Sequence, residues 1–172
     1  LGGSLGAKGL NEVVPAALAL LPAHQRPHVR HQSGTQHLAA LQAAYDQAGV
    51  QADTTAFIDD TAQAMADADW VLCRAGASTV TELAAVGVAA VLVPFPQAVD
   101  DHQTHNARFL VDAGAATLVQ QRDLSAVALV HIIQNTERTV LLNQAQSAKK
   151  MKKINAVMHM TSACEQLAGV RA

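Results

Sequence analysis

The stretch WVLCRAGASTVTELAAVGVAAVLVPF, residues 70–95, decides the fold. It begins with the apolar run WVLC and leaves it through Arg74, Ala75 and Gly76. It then takes up the helical spacing of STVTELAAVG, stops at Gly87, and returns to an apolar run, AAVLVPF, that Pro94 ends. A short continuous apolar run bounded by breakers suits a strand buried on both faces, so the stretch reads as strand, helix and parallel strand. Ser78 reads as the helix N-cap, which leaves Gly76 and Ala77 small enough for a ligand to lie against the backbone. Glu82 then falls one turn into the helix.

Working outward, the same alternation recurs. Leu10, Val13, Val14, Ala17, Leu18 and Leu21 mark a first helix, which Pro15 weakens or bends in its early turns. HVRHQS is a short strand, and TQHLAALQAAYDQAG is a helix with Leu38, Leu41 and Tyr45 on one face and Gly49 as its stop. TTAFI is a strand, and DDTAQAMADA is a short helix opened by an Asp cap. DDHQTHNARFLVDAG gives a helix with a Gly stop, and ATLVQ a last strand. Beyond Ser125 the pattern is wholly helical. The expected architecture is α/β: one Rossmann-like domain over residues 1–172, built on an open parallel sheet with helices trailing at the C-terminus.

The chain of 172 residues, about half apolar, can bury one good core. A net charge of −2 and a single basic cluster, Lys149, Lys150, Lys152 and Lys153, argue against a nucleic-acid partner. That cluster suits a solvated helix face or anionic lipid. Cys73 and Cys164 lie far apart without CxxC spacing, which suggests neither a zinc site nor a disulfide framework. No apolar run approaches the roughly twenty residues that span a bilayer, and no signal peptide is evident. LGGSLGAKG looks like a strand end and a glycine-rich turn with almost no strand before it, so the chain is expected to be part of something longer.

In open parallel sheets, ligands collect at the carboxyl ends of the strands. Four loops fall there: GGSLGA, FIDD, RAGAST and PFPQAVDDHQ. Gly2, Gly3 and Gly6 allow close backbone approach and Ser4 adds a hydroxyl, which fits a diphosphate, although a tight turn without a ligand uses the same residues. Glu82 can accept from the two hydroxyls of a ribose, or simply favour the helix dipole. His102 and His105, beside Asp100 and Asp101, raise a metal site as one reading. Gln103 and Asn106 carry neutral amides suited to sugar hydroxyls. No Walker-type lysine follows the glycine loop, so kinase and ATPase chemistry are not expected. No Ser/His/Asp triad can be argued.

Together, GGSLGAKGLNEVVP, HQSG, FIDDTAQAMADADWVLCRAGASTVTELAAVGVAAVLVPFP and DDHQTHNARFLVDAGAA resemble, in order and spacing, the C-terminal half of the MurG family. These are bacterial UDP-N-acetylglucosamine transferases of lipid II synthesis. The likeness is strong to about residue 120 and looser beyond. It implies the donor-binding half of a GT-B glycosyltransferase. In such an enzyme GlcNAc passes, with inversion, from UDP-GlcNAc to the 4-hydroxyl of the muramoyl sugar of lipid I in peptidoglycan and cell-wall synthesis, with ties to cell shape and division.

By that resemblance Ser4 contacts the diphosphate, and Ile58 meets the uracil through its backbone. Ala77, Ser78, Thr79, Val80, Thr81 and Glu82 line the nucleotide and sugar, with Glu82 on the ribose. Gln103 binds the GlcNAc hydroxyls with His102 beside it, and Gly3, Gly6, Arg74, Gly76 and Asn106 border the site. No cofactor or metal is implied. Partners would be the donor, the acceptor reached through an N-terminal domain, and the cytoplasmic face of the bacterial inner membrane, bound peripherally.

By the resemblance, the N-terminal domain with its expected catalytic base, a basic residue for the diphosphate and most of the first strand are expected to lie outside this sequence. The chain departs from the pattern at Ala89, where a proline is usual, a change expected to affect loop stiffness only. Alone it should bind donor weakly and catalyse nothing. Two other readings fit the residues: a GT-B epimerase or transferase with another acceptor, and a nucleotide-binding module without turnover.

Overall fold

The computed structural model describes Leu1 and residues 7–169. Among the described residues five short strands alternate with helices. Helix α1 (Lys8–Leu20) is followed by β1 (Arg30–Gln32), α2 (Leu38–Ala48), β2 (Asp53–Thr55), α3 (Thr61–Ala66), β3 (Trp70–Cys73), α4 (Ala77–Val86), β4 (Ala89–Leu92), α5 (His102–Val111) and β5 (Ala116–Leu118). Three helices close the chain: α6 (Ala126–Asn135), α7 (Arg138–Lys150) and α8 (Ala156–Leu167). All strand pairing is parallel.

Local chemistry sets the boundaries. Asp60 caps α3 by accepting from the Gln63 N–H at 2.8 Å. Gly49 and Gly87 end α2 and α4 in the left-handed conformation, at φ 61° and 80°. Pro15 does not interrupt α1, which runs through it with the proline ring buried. Its missing N–H costs one bond, which packing of Leu10, Val14, Ala17 and Leu18 outweighs.

The central strand β4 is buried along its whole length, as its apolar run requires. Its alternate residues serve two cores. Ala90 and Leu92 join Val71, Cys73, Val80, Leu83 and Leu110 under α4, α5 and α7. Val91 and Val93 join Leu10, Leu18, Leu41 and Leu129 under α1, α2 and α6. Ala89, fully buried and paired with Trp70, is the first residue of this strand rather than part of a loop. A proline is tolerated at that position, so the alanine alters a strand start, not loop stiffness.

The single open sheet expected from the sequence is divided. β1 and β2 form one pair, and β3, β4 and β5 form a separate sheet in that order. A cleft of about 740 Å³ lies between them, lined by Leu10, Val14 and Leu18 of α1, by residues of β1 and β2, and by Trp70, Val71 and Leu72 of β3. Leu1 reaches into it, its backbone nitrogen donating to Leu72 O at 2.9 Å. Among the described residues β3 has no partner strand on the side away from β4.

Candidate functional site

The carboxyl ends of β3 and β4 carry two of the polar loops singled out in the sequence, RAGAST and PFPQAVDDHQ. The first differs from expectation in its cap. Helix α4 starts at Ala77 with Gly76 as N-cap, and Val80 N–H donates to Gly76 O at 3.0 Å, so Ser78 lies inside the helix and caps nothing. Starting two residues earlier lets the helix close its first turn on a backbone carbonyl alone. The shift changes the reading of Glu82, which now stands six residues past the cap. The macrodipole acts mainly within the first turn, so dipole stabilisation explains this carboxylate poorly.

Glu82 is exposed, with no hydrogen-bond or ion-pair partner among the described residues. Ser78, four residues before it, shares its helix face, and helical side chains lean toward the N-terminus, so the carboxylate overhangs the loop. Ala77 and Thr81 are also exposed, and the Thr81 hydroxyl donates to Ala77 O at 2.9 Å. Thr79 is half-buried. Val80 is the exception in this run: at 4 % exposure its side chain belongs to the core, so only its backbone can meet a ligand.

Gly76 has φ −64°, a conformation any residue adopts. A Cβ placed there would meet only the Thr79 hydroxyl, at 3.8 Å. Neither backbone geometry nor protein packing therefore requires a glycine at this position. Close approach by a ligand would.

The second loop, after β4, is held to its neighbours by polar contacts that sequence patterns do not reveal. Phe95 N–H donates to Gln103 Oε1 at 2.9 Å. Asn106 Nδ2 donates to Ala75 O at 3.1 Å, which pins α5 to the loop after β3. Thr104 Oγ1 donates to Asp101 Oδ1 at 2.6 Å and accepts from Gln120 Nε2 at 3.2 Å. Asp100 and Asp101 both take left-handed backbone, at φ 52° and 51°, just before α5. That conformation is uncommon outside glycine and tolerated best by Asp and Asn. His102 and Gln103 open α5, the first exposed and the second half-buried.

Arg74 ties these loops together. Its Nη1 donates to Val93 O and Pro94 O, both at 3.2 Å, and its Nη2 to Gln121 Oε1. The guanidinium carbon lies 5.5 Å from the centre of the Phe95 ring. Partial burial pulls the Arg74 pKa below its ordinary value, which leaves it cationic. Burial pushes the neighbouring Cys73 thiol up to about 11, so it is no nucleophile.

Ile58 lies beyond β2, which stops at Thr55 rather than running on through FI, because the Thr55 hydroxyl turns back to donate to Phe57 O at 2.7 Å. Ile58 also lines the cleft between the sheets. Gly2, Gly3, Ser4 and Gly6 lie outside the described residues. Among the described residues no three His, Cys, Asp or Glu side chains gather as a metal site, and no helix is long and apolar enough to cross a membrane.

Residues 1–167 match the glycosyltransferase family 28 C-terminal domain. The chain is 65% identical over 167 residues to the UDP-N-acetylglucosamine--N-acetylmuramyl-(pentapeptide) pyrophosphoryl-undecaprenol N-acetylglucosamine transferase of Paracidovorax citrulli, covering 97% of this chain and 47% of that relative. It is 62% identical over 168 residues to the protein of the same name from a Polaromonas species, covering 98% and 43%. The crystal structure of Acinetobacter baumannii MurG superposes with a TM-score of 0.87 at 44% identity, covering 96% of this chain and 48% of that one. The chain thus spans less than half the length of these relatives.

Proposed function

The chain belongs to the glycosyltransferase family 28 C-terminal domain family, and from that premise we propose that it is the donor-binding domain of an inverting GlcNAc transferase acting on lipid I. The relatives' names supply the donor and acceptor. The observation that carries the reading is Glu82: an exposed carboxylate without a partner among the described residues, on the helix that follows a loop whose glycine is left unexplained by packing.

Each part of the rim then has a task. Glu82 accepts from both ribose hydroxyls. Gly76 and Ala77 let the nucleotide lie against the backbone, beside Ser78, Thr79, Thr81 and the Val80 main chain. The backbone at Ile58 meets the uracil. Ser4 and the glycines around it meet the diphosphate at the start of α1, where free amides balance anionic charge. Gln103 reads the sugar hydroxyls, with His102 and Asn106 at its flank. Transfer proceeds as the acceptor hydroxyl attacks the anomeric carbon and UDP departs. Oriented amides that meet the charge growing on the leaving diphosphate lower that barrier without any step by a metal. The base that takes the acceptor proton belongs to a further domain.

The cleft between the sheets supports the same domain reading. It lies along β3, which among the described residues has no partner strand on the side away from β4, and Leu1 donates there to Leu72 O, in a space that a further strand would fill. The whole enzyme would act peripherally at the cytoplasmic face of the bacterial inner membrane, in cell-wall synthesis and hence in cell shape and division.

Titrating UDP-GlcNAc, UDP and UDP-glucose against the full-length protein tests the proposal. UDP-GlcNAc and UDP should bind, with UDP-glucose weaker than UDP-GlcNAc. Equal indifference to all three would refute it.

A further inference from the structure

Arg74 entered as a residue bordering the donor, and its charge makes a direct grip on the diphosphate the obvious role. The structure assigns it another one: Arg74 is a positioning residue that fixes the distance between the nucleotide-facing turn of α4 and the sugar-facing Gln103. This rests on the donor-site reading above and deepens it.

A guanidinium has five N–H donors in a rigid fork. Both Nη1 hydrogens go to the chain leaving β4, at Val93 O and Pro94 O, and one Nη2 hydrogen goes to Gln121, beyond β5. The Nε–H is enclosed by protein and has no hydrogen-bond partner among the described residues. One hydrogen is left over, too few for the paired grip that arginine makes on phosphate.

What the fork holds is the rim itself. Arg74 stands at the end of β3, and its bonds reach the ends of β4 and β5. Gln121 in turn lies against the first turn of α1, where a Cβ on Gly9 would come within 3.2 Å of its Oε1. Three segments of the rim therefore meet at one side chain, and α1 joins them through Gln121.

The contact with Phe95 extends the reach of that side chain. The guanidinium covers the Phe95 ring, and Phe95 N–H donates to Gln103 Oε1. With its acceptor oxygen engaged, the Gln103 amide keeps its NH₂ as the group left to donate to oxygen atoms of the sugar. Arg74 thus orients Gln103 through Phe95 without touching the ligand.

A charge contact and a clamp respond differently to substitution. Lysine keeps the charge and loses the fork. The test uses the full-length enzyme as wild type, Arg74→Lys, Gln121→Ala and the double variant, with thermal melting to establish folding. UDP affinity should stay within about 3-fold of wild type in every variant, while kcat/KM falls about 10- to 100-fold in Arg74→Lys and about 3- to 10-fold in Gln121→Ala. The double variant should be little worse than Arg74→Lys, because both changes break one unit.

Near-normal turnover in Arg74→Lys, a tenfold loss of UDP affinity, or losses that multiply in the double variant would each overturn the assignment. If Arg74→Lys does not fold, Gln121→Ala decides, and unchanged turnover there overturns it. A wild-type protein that neither binds UDP nor uses the donor would instead refute the donor-site reading.

Discussion

Two polar clusters of this domain, one around His31 and one around Glu82, use the same kinds of atoms to opposite ends. His31, Tyr45 and Asn11 are 6 %, 3 % and 7 % exposed, and His31 bonds to both of the others, while the buried Asn11 Nδ2 has no hydrogen-bond partner among the described residues. His31 Nε2 lies 3.0 Å from Asn11 Oδ1, and Nδ1 lies 3.0 Å from the Tyr45 hydroxyl. Since the amide oxygen can only accept, Nε2 carries the proton and the phenol donates to Nδ1. The rings meet edge to face at 5.8 Å. At the rim, by contrast, Glu82 lies in solvent with no hydrogen-bond or ion-pair partner among the described residues. Polar groups whose bonds close on each other hold a fold together, whereas groups with open valences beside open space await a ligand.

The largest effect expected from this contrast is an acid sensitivity confined to the closed cluster. Burial lowers the His31 pKa to about 4 from an ordinary value of 6.5. The buried ring is neutral, so its contribution is complete above pH 6.5. As pH falls below that value the unfolded chain takes up the proton first and stability declines, levelling off below the folded value near 4. The loss across that window is on the order of 3 kcal/mol. Urea unfolding as a function of pH, with the ring followed by NMR, checks it. A ring that titrates at 6.5 in the folded protein would erase the contrast.

A smaller effect should appear at the open cluster, with the opposite signature. Gly76→Ala meets no steric barrier, and the entropy it removes from the unfolded chain is offset by alanine's poorer fit at the N-cap, so stability should stay within ~1 kcal/mol of wild type. Donor kcat/KM should nevertheless fall about 10-fold, because the new methyl group occupies space assigned to the ligand, a loss of ~1.4 kcal/mol in transition-state binding. Melting and steady-state kinetics on the full-length variant separate the two. Unaltered kinetics would mean that the glycine serves no ligand.

The contrast also explains what could be read in advance. Strands β3 and β4, the stops at Gly49 and Gly87, and the Asp60 cap were legible because periodicity and local capping chemistry are written in neighbouring residues. Ser78 looked like a cap because its residue type prefers that position, and a backbone turn closed on Gly76 instead. The division of the sheet was not legible, since strand pairing is set by contacts between segments distant in sequence. Arg74, Phe95, Gln120 and Gln121 carried no signal of their linkage. Their contacts join residues up to 47 positions apart in sequence, and only the folded chain brings them together. Glu82 was legible as a carboxylate near a small-residue loop, but its lack of a partner is a property of three dimensions.

The central claim is that Glu82 holds the donor ribose, and a chemical cycle tests it most directly. UDP and its 2′,3′-dideoxy analogue are titrated against the full-length protein and its Glu82→Ala variant. Wild type should bind UDP at least about 30-fold more tightly than the analogue, as expected when a carboxylate loses two hydroxyl donors, and the variant should bind the two alike. Discrimination that survives in Glu82→Ala would contradict the account.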